Sequence, residues 1–219
     1  ADEPLLDVDG PDDRRLAGLG RRRVVLMPGS RAGEVRSLLP ILRDAVALLQ
    51  ARRSDLEVVL VKADSVPDDL LRRIAGERLD RWSVVSGPHL SLLAASDVLL
   101  VASGTATVEG LLAGIPMVVV YKVATISYLL GKLLVKVPSV AMANILSDPG
   151  DGTRAVPELI QGAATPERVA AEVERFLDDA SHAAEARRRL AEGREELGEP
   201  GAPERTAEAV LALLGRREA

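Results

Sequence analysis

The sequence contains no cysteine, so it can form no disulfide and can carry out no thiolate chemistry, which suits a reducing compartment. With no cysteine and only two histidines, we expect neither a structural zinc site nor another bound metal. Aromatic residues make up only 2% of the chain, so the core must be built from leucine, valine, alanine and isoleucine. The net charge of −5 argues against a general nucleic-acid-binding protein. Apolar runs of about 18 residues are absent, so no membrane span is expected.

The chain of 219 residues is 47% hydrophobic and 28% charged, which fits a soluble globular protein of one large domain or two small ones. Residues 1–20 are acidic and contain proline, unlike the basic and then apolar pattern of a signal peptide. The first residue is not methionine, so we expect a fragment or a processed chain that begins with a linker.

Nearly continuous apolar runs predict β-strands at residues 24–27, 55–63, 82–87, 97–103 and 116–122. Patterns with helical periodicity between them predict helices at residues 32–53, 67–79, 90–95 and 105–113. This alternation is typical of a parallel sheet covered on both faces. We therefore predict a doubly wound, Rossmann-like α/β domain over residues 21–180, with ligands at the carboxyl ends of its strands.

The C-terminal part is more polar. A helix over residues 165–177 is predicted from a Thr165 cap followed by Pro166. Residues 181–219 are rich in arginine, glutamate and alanine, and they predict polar helices that either stay solvated or pack onto a domain outside this chain.

A first candidate site follows the strand at 97–103. Ser103, Gly104, Thr105 and Ala106 lie where a strand is followed by a helix, and unpaired N–H groups at a helix N-terminus suit a phosphate. The hydroxyls of Ser103, Thr105 and Thr107 are further potential donors, although the same residues also suit an ordinary helix cap. Glu109 in the first helical turn is either a capping partner or an acceptor for ribose hydroxyls.

A second turn, Gly29, Ser30 and Arg31, follows the first strand in the same way. The Arg31 guanidinium could bind phosphate oxygens or could instead pair with Glu34. Two anion-binding turns in one sheet predict a single diphosphate ligand between them. Neither a Walker loop nor the G-x-G-x-x-G dinucleotide fingerprint occurs, and no cofactor is predicted.

Residues 121–137 combine a polar stripe with a strongly apolar face. At helical spacing the stripe contains Thr125, Tyr128, Lys132 and Lys136. Such a segment is either core or a surface that lies on an anionic membrane. Asn144 follows in a predicted loop, either as a turn residue or as a ligand contact. His89 lies at a predicted strand end and His182 in a polar helix, so the chain offers few candidates for a general base.

Four stretches in this order closely resemble the C-terminal half of the lipid-A-disaccharide synthase family. They read "LMPGSRAGEV", "ASDVLLVASGTATVEGLLAGIPMVVVYK", "LVKVPSVAMANILSD" and "VPELIQGAATPERV", and the resemblance covers residues 22–175. The family consists of GT-B glycosyltransferases. They join UDP-2,3-diacylglucosamine to 2,3-diacylglucosamine 1-phosphate, a lipid monosaccharide phosphate, and release UDP.

The resemblance implies a role for each matching residue. Ser30 and Arg31 would contact the donor diphosphate, residues 103–106 would hold it at the helix end, and Glu109 would bind the ribose. Asn144 would lie near the donor sugar, although Ala143 replaces the proline that the family has before this asparagine.

The resemblance also implies partners and a location. The acceptor site and the general base would belong to an N-terminal GT-B half, and a homodimer is possible. The protein would be cytoplasmic and peripheral to the anionic inner membrane. The alternatives are another UDP-sugar glycosyltransferase or epimerase of this architecture, or a non-catalytic nucleotide-binding module.

Overall fold

A computed structural model of the chain describes residues 21–86, 90–122, 139–198 and 201–215. Several predictions fall outside these residues. They are the linker at 1–20, the site candidate His89, and the polar stripe of Thr125, Tyr128, Lys132 and Lys136.

Six parallel strands form one sheet in the order β3-β2-β1-β4-β5-β6. The strands are β1 (Arg22–Met27), β2 (Leu56–Lys62), β3 (Ser83–Ser86), β4 (Val98–Ala102), β5 (Met117–Tyr121) and β6 (Glu158–Ile160). The predicted doubly wound parallel sheet is thereby confirmed. The edge strand β6 was not predicted, because its three residues are too short to form an apolar run.

The strand order reverses between β1 and β4. From β1 the chain proceeds outward through β2 and β3 on one side, and from β4 through β5 and β6 on the other. Leu26 pairs with Leu100 and Met27 with Val101, so the carboxyl ends of β1 and β4 lie side by side. Such a reversal opens a crevice at the strand ends, where ligands of doubly wound folds bind.

Alternating side chains of each strand enter two separate cores. Val24 and Leu26 of β1 pack on one face, whereas Val25 and Met27 pack on the other. Both faces are covered by helices, which is why the central strands are apolar at nearly every position.

The helices connecting the strands are α1 (Ala32–Arg52), α2 (Asp68–Ala75), α3 (Leu90–Ala94), α4 (Ala106–Ala113) and the short α5 (Met142–Leu146). The predicted helix at 67–79 is divided, because Gly76 adopts a φ of 60° and residues Gly76–Arg81 continue as a 3₁₀-helix. Asn144 lies within α5, so the prediction that it occupies a loop was wrong.

Within the described residues a short 3₁₀-helix (Gln161–Ala163) and three α-helices follow the last strand, namely α6 (Pro166–Asp178), α7 (Ala180–Glu195) and α8 (Ala202–Gly215). Thr165 caps α6 by accepting a hydrogen bond from the Arg168 N–H, as its sequence predicted. Helix α6 packs on α1 over the first core. Helix α7 packs on α4 and α5, and it contributes Ala183 and Ala186 to the first core and Leu190 to the second.

The buried face of α7 consists of small residues and one leucine, namely Ala183, Ala186, Leu190 and Gly193. The polar composition of this helix suggested that it stays solvated, but the structure shows that one of its faces is buried. The predicted division after residue 180 falls in the first turn of α7, just past the one-residue link between two helices that both pack on the sheet domain. Helix α8, by contrast, is exposed at each position from 202 to 212. None of the described helices is both long and apolar enough to cross a bilayer.

Candidate functional site

The two turns predicted from the sequence line one cavity of about 580 Å³ at the strand-order reversal. The turn after β1 contributes Gly29, Ser30 and Arg31, and the turn after β4 contributes residues 103–106. Glu109 of α4 lines the same cavity. This volume is in the range of small-molecule sites, about 300–1,000 Å³. The sequence predicted nine residues for the donor site: the three of the turn after β1, the four at 103–106, Glu109 and Asn144. The cavity brings all of them together except Asn144.

The turn after β1 is held closed by Glu34 in the first turn of α1. One carboxylate oxygen, Oε2, accepts hydrogen bonds from the backbone N–H of Ser30 (3.1 Å) and of Arg31 (3.2 Å). The other oxygen accepts a hydrogen bond from Arg31 Nη1 at 3.1 Å. In this structure Arg31 therefore pairs with Glu34, the alternative that the sequence left open. The Arg31 side chain is 83% exposed, so it remains accessible to a ligand.

Gly29 provides the room for this arrangement. Its φ of 110° is a conformation that other residues rarely adopt. A Cβ at this position would lie 2.5 Å from Glu34 Oε2 and 2.7 Å from Glu34 Cβ. Ser65, in the loop after β2, donates a hydrogen bond of 2.6 Å to the Ser30 carbonyl and ties the turn to the neighbouring strand end.

The turn after β4 uses two of its three hydroxyls internally. Ser103 Oγ donates to the Val140 carbonyl at 3.1 Å, and Thr107 Oγ1 donates to the Gly104 carbonyl at 2.7 Å. Thr105 occupies the cap position of α4, but its side chain makes no capping hydrogen bond. Of the three predicted hydroxyl donors, Thr105 is thus the one left exposed at the cavity for a ligand. A Cβ on Gly104 would meet no atom within 4 Å, so the backbone there is open to close approach.

Glu109 is half-buried on the cavity wall. Burial alone raises the pKa of its carboxyl group above the usual value, because ionisation there loses hydration. A half-buried acceptor facing a ligand cavity is suited to hydroxyl groups, which replace the lost water by donating hydrogen bonds.

Asn144 lies away from the cavity lining, fully buried in α5. Its Nδ2 donates to the Val156 carbonyl (2.9 Å) and to Glu158 Oε1 (2.8 Å), and its Oδ1 accepts from the Val156 N–H (3.0 Å). Glu158 also accepts from the backbone N–H groups of Val140 and Ala141. The structure therefore uses Asn144 and Glu158 to hold residues 140–144 beside Ser103.

The third strand end of the cavity was missed by the sequence interpretation. Lys62 ends β2, and Ala63 and Asp64 follow it, all on the cavity wall. The signal was present, since a charged pair directly after an apolar strand next to β1 must lie at the same edge of the sheet. Lys62 forms an ion pair with Asp68 of α2.

The lining combines anion-binding and acceptor groups. Its cations are Arg31 and Lys62, its carboxylates are Glu34, Asp64 and Glu109, and the amino ends of α1 and α4 adjoin it. Helix amino ends and a guanidinium favour an anion on one side, while Glu109 favours hydroxyl groups on the other. In the described part of the chain, no group of three or more potential ligands could hold a metal ion.

The family model described as "LpxB: Lipid-A-disaccharide synthetase" matches residues 16–213. The chain is 39% identical over 222 aligned positions to lipid-A-disaccharide synthase of Geobacter sulfurreducens, covering 98% of this chain and 56% of that protein. It is 43% identical over 192 positions to the enzyme of Myxococcus xanthus, covering 87% of this chain and 49% of that protein. The chain thus spans about half the length of the curated relatives it matches.

The solved structures with a similar fold include a glycosyltransferase and a UDP complex. The lipopolysaccharide glycosyltransferase WaaG aligns with a TM-score of 0.53 at 16% identity, covering 90% of this chain and 49% of that one. The UDP complex of Staphylococcus aureus MnaA aligns with a TM-score of 0.54 at 15% identity, covering 89% and 46%. At such identities the likeness concerns the fold, which corresponds to one half of a GT-B structure.

Proposed function

The chain belongs to the lipid-A-disaccharide synthetase family, and on that basis we propose that it is the donor-binding half of such an enzyme. Its cavity would bind UDP-2,3-diacylglucosamine, from which the sugar passes to 2,3-diacylglucosamine 1-phosphate with release of UDP. The observation that carries the proposal is that the two turns before α1 and α4 line one cavity together with Glu109.

In the proposed complex the diphosphate lies between the turn after β1 and the turn after β4. Both turns precede a helix, so the diphosphate would receive backbone N–H groups and the positive ends of two helix dipoles. Arg31 is exposed enough to turn towards the phosphate oxygens. These groups would also stabilise the negative charge on departing UDP, which is the contribution of this half to catalysis.

Glu109 is the proposed ribose ligand. Its carboxylate lies on the same wall as the turn after β4, one helical turn farther along α4. Hydroxyl groups of the ribose would donate to it and restore the hydrogen bonds that burial removes.

Acceptor binding, proton transfer and membrane contact would involve groups outside this cavity. We propose that the acceptor site and the general base lie in the part of the relatives that the chain does not match. We further propose a peripheral position at the cytoplasmic face of the inner membrane, with residues 121–137 as the contact to anionic lipid. Residues 123–137 lie outside the described residues, so this proposal rests on their sequence. We also propose, from the family resemblance alone, that the protein forms a homodimer.

Calorimetry with UDP, UMP and uridine tests the donor site. We expect UDP to bind more tightly than UMP and uridine more weakly than either, since the turns bind phosphate. Equal affinity for all three, or no binding of UDP, would contradict the proposed diphosphate site.

Two further experiments separate the alternatives. An assay with both diacylated substrates is expected to show no turnover by this chain alone, and turnover would refute the need for a second half. Co-sedimentation with vesicles containing phosphatidylglycerol tests the membrane contact. If the protein does not co-sediment with these vesicles, the result would favour a UDP-sugar enzyme with a soluble substrate, which does not need a lipid-binding segment.

A further inference from the structure

Glu34 occupies the position in which the turn after β1 would bind a phosphate oxygen. Its Oε2 accepts both the Ser30 and the Arg31 N–H, at 3.1 and 3.2 Å. A glutamate in the first turn of a helix commonly accepts one such N–H. Here the same carboxylate also accepts a hydrogen bond from Arg31 Nη1, so it engages two backbone donors of the turn and one donor of the guanidinium.

Carboxylate and phosphate oxygens are equivalent acceptors for these donors. The Ser30 N–H, the Arg31 N–H and Arg31 Nη1 cannot serve both groups at once, so a diphosphate that uses these donors must compete with Glu34. The Glu34 side chain is 34% exposed, which leaves it a path to rotate out towards solvent. The packing of Glu34 over Gly29 is possible because that residue lacks a Cβ, so the inward position is built into the turn.

The charge of the cavity favours such a displacement. With Glu34 inward, the lining has three carboxylates against two cations, and Lys62 is already paired with Asp68. A diphosphate would add further negative charge beside the Glu34 carboxylate. Moving that carboxylate into water removes the repulsion and frees Arg31 for the ligand.

We propose that Glu34 is a built-in competitor of the donor diphosphate, which displaces the carboxylate from the Ser30 and Arg31 N–H groups on binding. This inference rests on the proposed donor site. Its consequence is that Glu34 lowers the affinity for UDP and returns to the turn when UDP leaves, so that it assists release of the product. Glu34 would thus determine how strongly the site holds a diphosphate, without contacting the reacting sugar.

The test compares Glu34→Gln with the wild type by calorimetry, using UDP, uridine and inorganic pyrophosphate. Glutamine keeps an oxygen for the backbone N–H groups but removes the charge. We expect about three- to tenfold tighter binding of UDP and pyrophosphate by the variant, a gain that shrinks in high salt, and unchanged affinity for uridine.

Asp64→Asn is the matched control, because it removes the same charge from the same cavity wall without touching the turn. A gain as large as that of Glu34→Gln would show a general charge effect and overturn the proposal. Unchanged or weaker UDP and pyrophosphate binding by Glu34→Gln would overturn it too, since Glu34 would then only support the turn. If pyrophosphate binds more tightly to the variant while neither protein binds UDP, the competitor role stands and the proposed donor specificity fails.

Discussion

Asn144 Nδ2 donates a hydrogen bond of 2.8 Å to the buried carboxylate of Glu158. The asparagine is fully buried and also exchanges hydrogen bonds with both backbone groups of Val156. Its side-chain amide is therefore engaged within the protein. The two residues together fix the short α5 and the backbone of Val140, whose carbonyl binds Ser103.

We predict that Asn144→Ala lowers the free energy of unfolding by about 1–3 kcal/mol, because it removes buried hydrogen bonds to both backbone groups of Val156 and one of those to Glu158. Urea unfolding followed by circular dichroism measures the change. Ile145→Ala is the control, since this neighbour on α5 is 46% exposed and should cost less. A stable Asn144→Ala variant that loses UDP-sugar affinity would instead support the direct sugar contact predicted from the sequence.

Arg31→Ala should weaken UDP binding tenfold or more, about 1.4 kcal/mol, because the diphosphate loses a charged donor. Arg52→Ala provides a matched control on the same helix. Arg52 pairs with Glu174 at the other end of α1, so its loss should leave UDP affinity unchanged. Calorimetry of both variants decides the assignment, and equal affinities for the two would remove Arg31 from the site.

Glu109→Ala should likewise weaken UDP binding tenfold or more, about 1.4 kcal/mol, through the loss of the ribose acceptor. Uridine should lose the same factor, because it contains the same ribose. Arg31→Ala should by contrast spare uridine. If Glu109→Ala weakened UDP but not uridine, the carboxylate would not be a ribose ligand.

Glu109→Gln should make the ligand-free protein more stable at neutral pH. Burial raises the folded-state pKa of Glu109 above its unfolded value of about 4.3, so ionisation costs the folded protein stability as pH rises through the folded pKa. The amide cannot ionise and escapes this cost. The difference in melting temperature between variant and wild type should therefore be positive at pH 7 and vanish below about pH 4. A difference that is independent of pH would contradict this account.

Gly193→Ala should destabilise the protein by about 1–3 kcal/mol through overpacking. A Cβ on this α7 residue would lie 3.0 Å from the backbone N and Cα of Ser147, which cannot move as a flexible side chain can. Gly33→Ala in α1 is the opposite case, because its Cβ would meet no atom within 4 Å. That variant should gain about 0.4–1 kcal/mol. Thermal unfolding of the pair checks both signs, and a neutral Gly193→Ala would show that α7 is loosely packed.

Much of the sheet could be predicted from the sequence because the central strands are buried on both faces. Continuous apolar runs at β1 and β4, followed by small and polar residues, indicated both strand ends and the turns beyond them. The prediction that these two turns lie at one site followed from the rule that parallel strands have their carboxyl ends at the same edge of the sheet. The family resemblance, carried by the ordered motifs, was confirmed by the match over residues 16–213.

The remaining features depend on contacts that composition conceals. Strand β6 contains the buried Glu158, whose charge is compensated by donors from residues distant in sequence. Helix α7 looks solvated because its buried face relies on alanine and glycine, which contribute little to apolar periodicity. The sequence allowed an ion pair between Glu34 and Arg31 to be predicted. The two backbone hydrogen bonds of Glu34 depend on the φ of Gly29, and they could be recognised only in the structure.

The central position of β1 and β4 has a consequence for the motions of the site. Their backbone amides are bonded within the sheet and covered on both faces, so the strands should exchange hydrogen with solvent only when the whole domain opens. The two turns that line the cavity are thus each anchored on one side to the slowest-exchanging part of the molecule. A ligand entering between them would therefore find their spacing already set, and ordering of side chains such as Arg31 and Glu34 would account for most of the conformational entropy lost on binding.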